Sequence, residues 1–227
     1  MSRTVLVAGA SSGAGLATAR AFAALGDTVH AAARREIAEA GLIGHQVDVT
    51  DRAAVASLAV EIGALDVLVV TAGVNVKQRR LEQLTHESWD AIVDTSLTGA
   101  WNVVHAFLGA LLESSGIIVL VSSVSAAWPD RSGPAYQAAK AGVLALTRGI
   151  AFEAEGRLRA TAVLPGVIDT PLLEHRPEPP DEETRARMLQ PSDIAAACVF
   201  AAGLPPRAYV PELTILPTAL QAIGRTT

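Results

Sequence analysis

Cysteine occurs once in the 227 residues, at Cys198, so no intramolecular disulfide can form. That thiol lies in the apolar run from Ala195 to Ala201, where a small buried hydrophobe is its expected role. Aromatic residues make up only 4% of the chain, so Ala, Val and Leu must fill the interior. That favours close helix–sheet layers over an aromatic-rich sandwich. Positive charge is not in excess: the formal charge is −5, without the basic footprint of a nucleic-acid binder. No apolar run approaches the ~18 residues needed to span a bilayer. The apolar stretch after Arg3 is cut by Gly9 and Ser11-Ser12-Gly13, too early for a signal peptide. These absences predict a cytoplasmic protein without nucleic-acid or membrane partners.

Half of the residues are hydrophobic, enough for a large core, and the length suits one α/β domain. Short apolar runs alternate with longer Ala-rich ones. Thr4–Ala8, Thr28–Ala32, Ile43–Val47, Asp66–Val70, Gly116–Val121, Arg159–Leu164 and Leu213–Leu216 read as strands. Gly15–Leu25, Asp51–Ile62, Ser88–Leu112, Pro134–Glu155 and a stretch beginning near Pro191 read as helices, with Thr50 or Asp51 able to cap the second. Continuously apolar strands separated by helices imply a parallel sheet covered on both faces. The expected fold is α/β: a Rossmann-type doubly wound parallel sheet of about seven strands, in a single domain over residues 1–227.

One segment breaks the rhythm. Residues 171–190 contain Pro177, Pro179 and Pro180 among Glu174, Arg176, Glu178 and Asp181. The segment reads as a solvated connection or as a mobile lid over a substrate.

Directly after the first strand comes Gly9-Ala10-Ser11-Ser12-Gly13-Ala14-Gly15, with a helix following. A glycine-rich strand-to-helix turn lets the backbone approach a pyrophosphate, and the helix N-terminus offers free N–H groups and partial positive charge. Downstream, Tyr136 and Lys140 stand four residues apart on one helix and so share a face. Ser123 ends an apolar strand thirteen residues before Tyr136, with Ser122 as the neighbouring alternative. The glycine loop together with Ser123, Tyr136 and Lys140 resembles the short-chain dehydrogenase/reductase family, over about Thr4 to Pro217.

The resemblance implies an oxidoreductase that interconverts a ketone or aldehyde and an alcohol, using a nicotinamide cofactor. Tyr136 would be the general acid/base, Ser123 would hold the substrate oxygen, and Lys140 would lower the phenol's pKa and bind the nicotinamide ribose. A free tyrosine titrates near 10, and lowering it by ~3 units takes roughly 4 kcal/mol of opposite-charge stabilisation. The same match assigns Gly9, Ser11, Ser12, Gly13, Ala14 and Gly15 to the pyrophosphate. It assigns Asp48 and Val49 to the adenine, and Ala72 and Gly73 to the ribose. Pro165, Gly166, Ile168 and Thr170 would lie over the nicotinamide. The second strand ends in Arg34 and Arg35, where NAD-selective members place an acid. An arginine can pair with a 2′-phosphate bidentately, so NADP is expected, with NAD the alternative because Glu36 is near.

Three departures stand out. Val70-Thr71 replaces an Asn-Asn pair, which implies weaker bracing of the central sheet. Ser96 occupies the site of an asparagine that holds a water in the family's proton relay, so the serine holds that water or the relay is broken. The stretch from Arg35 to Ile43 is unusually short, which trims the helix that usually covers the sheet there. The histidines lack acidic partners at ligand spacing, so no metal is expected. The family usually assembles as a homo-tetramer or homo-dimer on the two long helices. A nucleotide-binding regulator or scaffold without turnover is the rival class.

Overall fold

A computed structural model describes residues 2–220 of the chain. In chain order the elements are β1 (Thr4–Ala8), α1 (Gly13–Ala24), β2 (Thr28–Ala33), β3 (Ile43–Gln46), α2 (Arg52–Ile62), β4 (Val67–Val70) and α3 (His86–Val93). There follow α4 (Gly99–Glu113), β5 (Ile117–Val121), α5 (Pro134–Glu153), β6 (Arg159–Pro165), α6 (Glu182–Arg185), α7 (Pro191–Gly203) and β7 (Glu212–Ile215). The seven strands pair in the order β3-β2-β1-β4-β5-β6-β7, every pair parallel. The winding direction reverses between β1 and β4, which opens a crevice beyond the carboxyl ends of these strands.

Side-chain alternation along the strands builds two cores. Leu6, Leu68, Ile118 and Leu120 face one side and pack with Val55 and Leu58 of α2, Phe107 and Leu111 of α4 and Val143 of α5. Val5, Val7, Val69 and Val119 face the other, against Ala19 and Phe22 of α1 and Ile194, Cys198 and Ala201 of α7. Burial in that second layer pushes the Cys198 thiol up to about 12, leaving it an inert packing group. Asp51 caps α2, its carboxylate accepting from the N–H groups of Ala53 and Ala54 at 2.9 and 3.0 Å. Pro134 and Pro191 open α5 and α7 at the position where a missing N–H costs nothing.

The stretch expected as one helix from Ser88 to Leu112 is helical throughout but changes pitch midway. Between α3 and α4, residues Asp94–Thr98 form a π-turn. The wider turn re-phases the faces of the two helices. Gly99 then lets α4 lie against Val49, since a Cβ there would stand 2.5 Å from the Val49 Cγ2. Between β2 and β3 the chain carries no helix at all, where a trimmed one was expected.

Candidate active site

At the exit of β1, Gly9 adopts φ +97°, and a Cβ there would stand 2.5 Å from the Ala72 nitrogen. Only glycine permits both that conformation and that contact. A Cβ on Gly15 would collide with the Gly9 carbonyl, so this second glycine seats the start of α1 on the loop. The Thr71 hydroxyl donates to the carbonyls of Ala8 and Gly9 at 3.1 and 3.2 Å. The bracing expected to suffer without asparagine at this position is thus supplied by a shorter side chain. Ser12 precedes α1 without a side-chain cap, which leaves the first N–H groups of the helix directed at the crevice.

A cavity of about 760 Å³ lies on this loop. Its walls include Gly9, Ser11, Ser12, Gly13, Ala14 and Gly15, then Arg34, Arg35, Val49, Ala72 and Gly73. Tyr136, Lys140, Pro165, Gly166, Ile168 and Thr170 complete it. A glycine-rich loop backbone, an uncapped helix N-terminus and two guanidiniums suit a dinucleotide. Arg35, rather than Arg34, touches the loop: its Nη2 donates to Ser11 Oγ and Ser12 Oγ at 3.1 and 3.3 Å. Asp48 is the exception among the expected contacts. It is absent from the wall, and its carboxylate accepts from the Thr50 N–H and hydroxyl at 2.9 and 2.8 Å. A carboxylate this close in sequence to a hydroxyl and an N–H closes a local turn.

A second cavity of similar volume lies between the loop after β4, the segment after β5 and residues 171–190. Asn75, Arg79, Asp130, Gln137, Leu172 and Arg176 are on its wall. Ser123 and Tyr136 line both cavities, together with Gly166, Ile168 and Thr170. Ser122 Oγ donates to the Lys140 carbonyl at 2.8 Å and lines the first cavity alone, whereas Ser123 lines both. Ser123 Oγ accepts from the Ser125 N–H at 3.1 Å and bonds the Ser125 hydroxyl, which in turn donates to Asp130.

Burial pushes the Tyr136 phenol up to about 12, with the Asp130 charge adding to the rise. The Ser123 hydroxyl, Arg79 and Arg176 pull the other way. Lys140 is 4% exposed, and burial draws its ammonium down to about 8. Its Nζ donates to the Val121 carbonyl at 2.9 Å and sits 5.7 Å from the centre of the Tyr136 ring. Ser96, at 1% exposure in the π-turn, accepts from the Val74 N–H at 3.4 Å. It is not on the cavity wall, yet a Cβ on Gly73 would stand 3.5 Å from Ser96 Oγ and 3.2 Å from Lys140 Nζ. Serine and ammonium therefore flank the same glycine. The sequence offered no sign of Asn75, Arg79 and Asp130, which lie in irregular segments and meet only in the fold. Arg176 was visible only as one charge among several in residues 171–190.

Residues 3–181 match the short chain dehydrogenase family. The chain belongs to that family. It is 37% identical to cis-4-hydroxycyclohexanecarboxylate dehydrogenase of Sinomonas cyclohexanicum, over 88% of this chain and 89% of that protein. It is 33% identical to the 3-oxoacyl-(acyl-carrier-protein) reductase of Thermotoga maritima, over 88% of this chain and 90% of the relative. Among solved structures, the closed form of a serine dehydrogenase complexed with NADP+ superposes with a TM-score of 0.88 at 26% identity, covering 99% of this chain and 98% of that one. The chain is thus an oxidoreductase of the short-chain type, working on alcohol or ketone groups of small molecules with NAD(P). Among the described residues no helix is long and apolar enough to cross a membrane.

Proposed function

We propose that the protein interconverts a ketone and a secondary alcohol with NADP(H), and that Tyr136 moves the proton. The observation carrying this reading is the meeting of the two cavities at Ser123 and Tyr136. A substrate in the second cavity and a cofactor in the first would then meet beside these two hydroxyls.

Bound nicotinamide supplies or accepts the hydride. The protein's own groups do the rest. Ser123 now gives its one hydroxyl proton to Ser125 Oγ; with substrate bound that proton would turn to the substrate oxygen and hold it beside the phenol, while the Ser125 N–H keeps Ser123 Oγ in place. Tyr136, pushed to about 12, is protonated at neutral pH and can donate to the developing alkoxide. In the oxidation direction it must accept a proton, and the Lys140 ammonium is the positive group nearest to that task on α5. Lys140 also faces the cofactor cavity, in reach of a ribose. Ser96 and Lys140 flank Gly73, which supports a short proton route from the ammonium toward Ser96 in place of the asparagine-held water.

Preference for NADP rests on Arg34 and Arg35, both on the cofactor wall, with no carboxylate at the end of β2. The 2′-phosphate would sit on Arg35 beside Ser11 and Ser12. Residues 171–190 serve as a substrate lid: Leu172 and Arg176 line the second cavity, while the ends are pinned where Leu189 exchanges backbone hydrogen bonds with Val167 and Asp169. Exposed Trp101 on α4 and Phe152 on α5 suit a homo-oligomer built on those helices. The lone buried cysteine fits a cytoplasmic setting.

A panel of ketones assayed by NADPH oxidation tests the reading. Turnover of at least one, lowered about 100-fold in Ser123→Ala, is expected. Tight NADPH binding with no reduction of any panel member would overturn it.

A further inference from the structure

Resting on the oxidoreductase reading above, we infer that the substrate carries a carboxylate, which Arg79 and Arg176 receive in the second cavity.

Arg79 leaves the loop after β4 and is only 7% exposed. Its Nε donates to the Val76 carbonyl at 2.8 Å and its Nη2 donates to the His175 carbonyl. A guanidinium has five N–H donors, so these two bonds fix its orientation and leave three to spare. Among the described residues no carboxylate lies within ion-pair distance of it. A buried cation without a counter-charge is costly unless something compensates it. The loop that carries Arg79 packs tightly on the start of α5: Gly133 adopts φ +89°, and a Cβ there would collide with the Arg79 carbonyl oxygen.

Arg176 approaches from residues 171–190 and is half-buried. The two guanidiniums repel, which together with burial holds the Arg79 pKa below its ordinary value. Both lie within electrostatic reach of Tyr136, and both line the second cavity but not the first. Asp130 is the carboxylate whose charge reaches Arg79, and it is committed to the Ser125 hydroxyl and the Ser132 N–H. The other charges on that wall, Arg80, Arg131, Glu82 and Glu178, are exposed and cancel in sign. Arg79 is thus a buried cation with no carboxylate at ion-pair distance among the described residues. A monoanion balances it, and a planar carboxylate matches the guanidinium fork. The substrate is then an oxo acid whose carbonyl meets Ser123 and Tyr136 while its carboxylate reaches Arg79. Binding that anion would also tie the 171–190 segment to the loop after β4, along the line of the existing Arg79–His175 bond.

The test compares acids with their methyl esters as substrates: 4-oxopentanoate and 4-oxocyclohexanecarboxylate, each with its ester, assayed by NADPH oxidation. The wild type should prefer the acid by at least about 30-fold in kcat/KM, the range of a hydrogen bond to a charged group. Arg79→Met and Arg176→Met should bring the acid-to-ester ratio close to one, mainly through KM. Because Arg79 also holds two carbonyls, thermal melting of both variants checks the fold, and Arg176→Lys should recover part of the ratio. Equal use of acid and ester by the wild type overturns the inference and leaves the oxidoreductase reading standing. If neither is reduced, binding of cyclohexanecarboxylate to the NADP+-saturated protein decides by calorimetry: binding lost in Arg176→Met supports the anion site, and no binding to the wild type overturns it.

Discussion

Raising the pH through 8 should loosen NADPH, and Lys140 is the reason. This ammonium is buried on the cofactor wall with a hydrogen bond to the Val121 carbonyl, and burial draws its pKa to about 8. A free lysine titrates near 10.4, so Lys140 loses its charge more than two units early. A ligand that needs the ammonium follows the protonated fraction, about nine-tenths at pH 7 and about one-tenth at pH 9. The NADPH dissociation constant should therefore rise about tenfold over those two units. Folding stability moves the other way. The folded lysine has the lower pKa, so between about pH 8 and 10.4 the unfolded chain binds more protons and Lys140's contribution to stability increases with pH. Binding and stability thus diverge over one window, which separates the effect from alkaline unfolding. Calorimetric titration with NADPH from pH 6.5 to 9.5 gives the first profile, and urea unfolding gives the second. Lys140→Met, close in shape and without charge, should give weaker binding with no alkaline limb. A flat wild-type profile, or the same limb in Lys140→Met, would refute the reasoning.

Arg35→Gln should weaken NADPH about tenfold, roughly 1.4 kcal/mol, the scale of one charge-assisted hydrogen bond, and leave NADH within about threefold. Equal losses for both, by fluorescence titration, would remove Arg35 from the 2′-phosphate. Thr71→Val keeps the side-chain shape but deletes both bonds to the Ala8 and Gly9 carbonyls, so stability should fall by about 1 kcal/mol and the melting temperature by about 2–4 °C. An unchanged melting curve would mean that Thr71 does not brace the loop. Ser123→Ala should lower kcat/KM about 100-fold with NADPH affinity unaltered, and a matching loss in cofactor affinity would assign Ser123 a different role.

The sheet was legible chiefly because its central strands β1, β4 and β5 are runs of Val, Leu, Ile and Ala after at most one threonine, each ended by glycine, serine or threonine. Their order was not, since pairing is decided by crossovers that leave no local mark. The π-turn at Asp94–Thr98 was hidden for a related reason: it keeps a helix-like rhythm, with neither proline nor glycine until Gly99. Glycine loop, Ser123, Tyr136 and Lys140 could be read from spacing because each has a fixed place relative to a strand end or helix start. Asp48 could not be resolved that way, because whether its carboxylate turns inward or bonds Thr50 depends on a local turn. The second cavity was illegible. Arg79, Asp130 and Arg176 come from three irregular segments, and only the closed fold puts their charges in one field.

The central claim is that Tyr136 moves the proton where the two cavities meet. Tyr136→Phe removes a single oxygen and leaves the cofactor loop intact. With a ketone that the wild type reduces, stopped-flow single turnovers at saturating NADPH should slow by about 10²–10⁴-fold, while NADPH still binds within about threefold of wild type. Hydride transfer at the wild-type rate in Tyr136→Phe would contradict the account.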